Sequence, residues 1–270
     1  MSRYFLMSAY EKNKKYQLNI VLKQPKDLYS KQAAGYRQYR PVYPLELYDY
    51  ILRHVKGRES AWDCGTGNGQ VAGALADYFQ EVEATDISES QLKNAIDKDN
   101  VYYQLVRAEQ TPFDKNTFDL ITVAQAIHWF NFEAFYNEVR RVSKKGAVLA
   151  VWGYGLFRVN EEVDSIIDHF YKHTIGSYWD TERRFIDEEY KTIPFPFPEE
   201  GEQKTFTISR QWTLEELEGF LKTWSAVQHY LKEKGDNPVK ALIEQVQPVW
   251  KPGEIKEVSF PVFMRLGRVV

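Results

Sequence analysis

A chain of 270 residues, 43% apolar and 27% charged, has room for one sizeable hydrophobic core and an ordinary globular composition. Its net charge of −3 offers no basic excess to hold phosphates, so no nucleic-acid partner is expected. No apolar run approaches a bilayer span. The single cysteine, Cys64, excludes an internal disulfide or a thiolate cluster, and a reducing, cytoplasmic setting is expected.

Residues 1–27 read as an N-terminal extension, basic and Tyr-containing, without an amphipathic face; residues 28–270 read as a single domain. Residues 28–40 have a helical pattern. Arg40-Pro41-Val42-Tyr43-Pro44 is a proline-bounded turn, and Pro44 suits the first turn of a helix through about Val55. A strand fits near 60–64, a helix near 69–79 and a strand near 82–86. Ser88 followed by Gln91 has the spacing of a capping box and opens another helix. Strands follow near 101–106, 118–123 and 146–152, with a helix near 132–142. Gly146 after Lys144-Lys145 reads as a helix end. Such alternation predicts a largely parallel sheet covered on both faces.

Beyond 152 the rhythm changes. Val163, Ile166, Ile167 and Phe170 mark an amphipathic stretch, and Pro194-Phe195-Pro196-Phe197-Pro198 cannot be a regular helix. Residues 155–203 are expected to form an inserted substrate lid. Thr205–Ser209 alternates as a strand, Thr213 with Glu216 makes a capping box, and a helix fits 237–246. Val258–Leu266 reads as the last strand, whose Pro261 argues for an edge or a bulge.

The chemistry concentrates after the first two strands. In Asp63-Cys64-Gly65-Thr66-Gly67-Asn68-Gly69 the glycines alternate, letting the backbone turn sharply and approach a ligand, while the helix that follows offers free N–H groups. A pyrophosphate-binding loop wants its third glycine where Gln70 stands, and Asp63 would repel a pyrophosphate but welcome an ammonium group. A tight turn without a ligand is the plain alternative. Asp86, ending the second strand, suits both hydroxyls of a ribose; it could instead cap the next helix, a task for which Ser88 is already placed.

These segments resemble the class I S-adenosylmethionine-dependent methyltransferases over residues 58–152. The resemblance implies an α/β fold: a Rossmann-like, doubly wound, seven-stranded, mostly parallel sheet with an antiparallel C-terminal edge strand and helical cover. It implies S-adenosyl-L-methionine as cofactor. Asp63, Cys64, Gly65, Thr66, Gly67 and Gly69 would then form the loop beneath its methionine part. Asp86 would bind the ribose, Ile87 the adenine face, Ala108 and Glu109 the adenine rim, and Ala124 and Gln125 the region below the sulfonium. Gln125-Ala126-Ile127-His128-Trp129-Phe130 is similar to a signature of the branch that includes trans-aconitate methyltransferase. Tyr36–Pro44 and Thr223-Trp224-Ser225 resemble two further segments of that branch. By this match Tyr36 and Arg40 belong to the cofactor site, with Arg40 a partner for a carboxylate.

His128 is the candidate catalytic residue, orienting the acceptor or taking its proton; with Trp129 it is also a candidate substrate contact. The plain alternatives are a satisfied surface histidine and an aromatic core anchor. Arg158, Arg183, Arg184 and Arg210 are candidates to read an acidic substrate, and the sequence does not choose among them. No histidine, cysteine and carboxylate spacing points to a metal. The expected activity is methyl transfer to a small-molecule acceptor, oxygen or carboxylate favoured, by a monomer or homodimer. The rivals are a non-catalytic cofactor-binding chain and a nicotinamide-dependent oxidoreductase.

Overall fold

The computed structural model describes residues 41–202 and 204–270. The expectations for residues 1–27 and 28–40, including Tyr36 and Arg40, lie outside the described residues. Seven strands form one sheet: β1 (Ser60–Cys64), β2 (Glu81–Asp86), β3 (Val101–Leu105), β4 (Phe118–Ala124), β5 (Ser143–Tyr154), β6 (Phe206–Trp212) and β7 (Lys256–Arg268). Their order is β3-β2-β1-β4-β5-β7-β6. Strands β1 to β5 pair in parallel, and β7 runs antiparallel to both its neighbours. The C-terminal strand thus has the expected antiparallel sense and lies one place in from the edge, with β6 outside it.

Alternation along the central strands builds two apolar layers. Ala61, Leu120, Val148, Ala150 and Trp152 face one layer; Trp62, Ile121, Val123, Leu149 and Val151 face the other. The first layer is covered by α1 (Leu45–His54), α2 (Gln70–Leu75) and α5 (Glu161–His169), and by α7 (Leu214–Lys222), α8 (Ser225–Lys234) and α9 (Pro238–Val246). The second is covered by α4 (Phe132–Val142), together with Ile186, Tyr190 and Ile193. Two short helices, α3 (Glu89–Lys93) and α6 (Arg183–Asp187), sit at the sheet's carboxyl side and in the β5–β6 connection.

Two local expectations change. Helix α4 stops at Val142, and Lys144 to Gly146 already belong to β5. Gly146 has φ 77°, and the β4–β5 register slips between Phe118–Ser143 and Leu120–Val148. The glycine supplies the left-handed residue of a strand irregularity, not a helix stop. Pro261 sits in an inner strand because of where its missing donor falls. It lies opposite Thr207, while its carbonyl accepts from Gly155 just past the last β5–β7 pair, Tyr154–Val262. The absent N–H lies on that same side, where the ladder has ended.

Arg268 locks the end of the β5–β6 connection to the body. It donates to the carbonyls of His54 (3.0 Å) and Gly146 (2.8 Å) and pairs with Glu200.

Candidate active site

The site grows from the carboxyl ends of β1 and β2. After Cys64 the chain turns through Gly65 (φ 68°) and Gly67 (φ 56°). The N–H groups of Gly65 and Thr66 both donate to Thr85 O, at 2.8 and 2.9 Å, which pins the loop to β2. A Cβ on Gly65 would stand 2.6 Å from Ala126 Cβ, whereas one on Gly67 would meet nothing within 4 Å. The loop is therefore backed by the β4 side and open at Gly67.

Both acids hold this loop. Asp63 is buried, at 1% exposure. Its Oδ2 accepts from Thr66 Oγ1 (2.6 Å) and Ala72 N (3.1 Å), and its Oδ1 from Thr122 Oγ1 (2.8 Å). Burial pushes its carboxyl up to about 6, against the pull of those three donors; the Asp86 charge pushes the same way. Asp86 Oδ2 accepts from Gly67 N and Oδ1 from Ser88 N, both at 2.8 Å. Ser88 in turn caps α3 by accepting from Gln91 N at 3.4 Å. The return bond of a full capping box is missing because the Ser88 N–H is taken by Asp86.

Strand β4 contributes the opposite wall. Ala124 ends the strand and Gln125 follows with φ 54°, a left-handed residue without glycine's freedom. Its N–H donates to Trp152 O (2.9 Å) and its Nε2 to Tyr154 O (3.2 Å). The buried Gln125 Oε1 has no donor among the described residues. A Cβ on Gly153 would stand 2.7 Å from that oxygen, so the glycine makes its room. Next comes a 3₁₀ turn, Ile127–Trp129, in which His128 is buried and its Nδ1 lies 2.9 Å from Tyr190 Oη. Gln125 and His128 line a cavity of about 60 Å³, walled by Tyr154, Phe157, Phe220 and Trp224 and edged by Arg183.

Residues 62–151 match the model of a methyltransferase domain. A Dictyostelium discoideum protein described as a methyltransferase is 35% identical over 250 residues, covering 90% of this chain and 95% of the relative. The chain belongs to the class I S-adenosylmethionine-dependent methyltransferases. A Saccharomyces cerevisiae protein described as an S-adenosylmethionine-dependent methyltransferase is 24% identical, covering 80% of this methyltransferase and 85% of that chain. A solved structure from Anaeromyxobacter dehalogenans, described as a type II methyltransferase, superposes with a TM-score of 0.80. It is 36% identical, covering 86% of this chain and 99% of that one.

The residues of this methyltransferase fit its cofactor. Gly67, the Asp86 carboxylate and the orphaned Gln125 oxygen lie at the carboxyl ends of β1, β2 and β4, around the switch point between β1 and β4, where sheets of this kind take ligands. A carboxylate at the end of β2 has the chemistry to accept from a ribose diol, and the Gln125 oxygen that to accept from an N–H donor. Ile87, 40% exposed, offers an apolar face just beyond Asp86. Ala108 is buried near the start of the loop that follows β3. Glu109 accepts from Asn131 N at 3.0 Å, tying that loop to the start of α4.

Other candidates take supporting places. Cys64 packs in the second apolar layer, and burial pushes its thiol well above the usual range, so its side chain is a core residue. Thr66 spends its hydroxyl on Asp63. Trp129 is half-buried with its ring 4.9 Å from that of His128, and it does not line the cavity. Among Arg158, Arg183, Arg184 and Arg210, only Arg183 lines the cavity; Arg158 pairs with Asp168 (2.8 Å) and Arg184 lies over Phe185. Sequence reasoning missed Tyr190, Tyr154 and Phe157 as site residues. The aromatic richness of the chain was the available signal, and it named no position.

Proposed function

We propose that this chain transfers a methyl group to a small-molecule acceptor through an oxygen or carboxylate, and that residues 155–203 act as the lid over it. The observation that carries this reading is the aromatic-walled cavity joining Gln125 and His128 to Arg183. When bound, the cofactor supplies an already activated methyl group, so the protein's work is orientation, exclusion of water and, for a hydroxyl, removal of a proton. Phe157, Phe220 and Trp224 exclude water from the acceptor. His128 orients the reacting oxygen or takes its proton. We read the protein as cytoplasmic and as a monomer or homodimer; among the described residues no helix is long and apolar enough to cross a membrane.

Arg183 favours an anionic acceptor. Its guanidinium lies 4.7 Å from the Trp179 ring centre and 5.3 Å from that of Tyr171. Its Nε donates to Tyr171 Oη (2.7 Å) and lies 3.4 Å from Asp187 Oδ1. Its terminal nitrogens have no hydrogen-bond partner among the described residues. A stacked guanidinium with its fork unspent suits a carboxylate. Arg183→Leu is expected to raise KM for an anionic acceptor about tenfold or more, from the loss of charge-assisted bonds. The KM for S-adenosylmethionine should not move, and an unchanged acceptor KM would remove Arg183 from recognition.

The reaction itself is tested by incubating the purified chain with methyl-labelled S-adenosylmethionine and a metabolite extract. An alkali-labile labelled product marks a carboxylate ester, and an alkali-stable one excludes a carboxylate acceptor. Cofactor binding without any labelled product would favour a non-catalytic role. With the acceptor in hand, His128→Ala should lower kcat about a hundredfold, in the range for a lost acid–base group. Full turnover would leave His128 without a part in the chemistry.

A further inference from the structure

Helix α6 ends at Asp187, and the chain then does something sequence rules discourage. Glu189 (φ 54°) and Tyr190 (φ 59°) are consecutive left-handed residues, neither of them glycine. Left-handed backbone is costly for residues with a Cβ, and it persists where surrounding contacts over-determine it. Those contacts are present. Tyr190 N donates to Phe185 O at 2.7 Å. Arg265, on β7, donates from Nη1 to Tyr190 O (3.2 Å) and Ile193 O (2.7 Å), and its guanidinium lies over Phe195. The Tyr190 ring meets Phe263 edge-on with centroids 5.0 Å apart, and the residue is completely buried.

This clamp delivers the phenol oxygen to His128 Nδ1 at 2.9 Å. The two residues are 62 positions apart and lie on different connections of the sheet. We propose that Tyr190 is a positioning residue for His128, fixing the orientation and the tautomer of its imidazole at the cavity. An imidazole has one protonated and one bare nitrogen when neutral, and the bond made at one nitrogen decides the character of the other. Phenol and imidazole are therefore a unit: the β5–β6 connection carries the group that sets the chemistry of the residue on the β4 loop. Among the described residues, the other ionisable side chains lining the same cavity are Arg183 and Tyr154. The catalytic consequence rests on the reading that His128 faces the acceptor; the tautomer does not.

The test uses the full chain with 15N-labelled histidine, comparing wild type with Tyr190→Phe, which keeps the ring and removes one oxygen. The expected result is one dominant His128 tautomer in wild type and its loss or reversal in the variant. The acceptor kcat should fall about tenfold, with the KM for S-adenosylmethionine unchanged. If Tyr190→Phe does not fold, difluorotyrosine placed at position 190 keeps the oxygen and alters its acidity. The His128 ring signals should then shift. An unchanged tautomer in Tyr190→Phe, or unmoved His128 signals with difluorotyrosine, would overturn the proposal. A tautomer that changes while no acceptor is ever methylated would leave the pairing intact and count against the methyl-transfer reading instead.

Discussion

Asp86→Ala is expected to weaken S-adenosylmethionine binding by about a hundredfold or more while leaving a folded protein. The carboxylate holds Gly67 N and Ser88 N, both at 2.8 Å, and so joins the glycine loop to the start of α3. Alanine releases the loop and removes the carboxylate that we propose takes the ribose diol. Two charge-assisted bonds at about 1.5 kcal/mol each amount to about 3 kcal/mol, or about two decades in Kd. Titration calorimetry with S-adenosylmethionine and with its demethylated product checks this. Asp86→Asn should fall between, because its amide oxygen can keep one backbone partner but loses the charge. Binding within threefold of wild type in Asp86→Ala would remove Asp86 from the cofactor site.

The second large effect concerns pH and Asp63. Its carboxyl is raised from the ordinary 3.8 to about 6 by burial. Between those two values the folded protein holds a proton that the unfolded chain has released. Stability from this group is thus fully present below about pH 4 and is lost as pH rises through about 6. A shift of about two units corresponds to about 3 kcal/mol. Glu138 slopes the opposite way. Hydrogen bonds from Arg141 and Thr111, with the Arg141 charge, outweigh its burial and hold its carboxyl below the usual range, so its contribution is lost as pH falls. The informative quantity is therefore the difference between wild type and Asp63→Asn. The amide can accept from Ala72 N and Thr66, and can donate to the Thr122 hydroxyl, which is free to rotate. Chemical denaturation across this range should show wild type losing about 3 kcal/mol relative to Asp63→Asn. A constant difference would mean that Asp63 titrates normally. In either case this acid's first task is inside the protein, fixing Thr66 and the start of α2.

The sheet and its glycine loop were legible because local rules and tertiary needs agree there. Alternating apolar runs, the glycine spacing and the acids near the ends of β1 and β2 each describe one feature of the same strand–loop–helix turn. Legibility failed where a local pattern has two meanings. Lys144-Lys145-Gly146 resembles a helix stop, yet the same glycine serves a strand irregularity, and only the pairing with β4 distinguishes them. Helix α8 left no stripe to read: Ala226 and Val227 are its buried residues, while Gln228, His229, Lys232, Glu233 and Lys234 are polar. Tyr190 is the extreme case. It stands among Glu188, Glu189 and Lys191, and its meaning comes from a contact with His128 that no sequence interval encodes. Of four candidate arginines only Arg183 reaches the cavity, a choice made by the course of the β5–β6 connection.

The place of β7 between β5 and β6 has a consequence for how the molecule is made. The strand that joins the outermost β6 to the rest leaves the ribosome after the other described strands. Until it arrives, β6 has no neighbour, β5 presents an open flank, and Arg268 cannot bridge His54, Gly146 and Glu200. The sheet is thereby completed only once β7 has been made, and until then a nascent chain exposes an unpaired, aggregation-prone strand edge on β5.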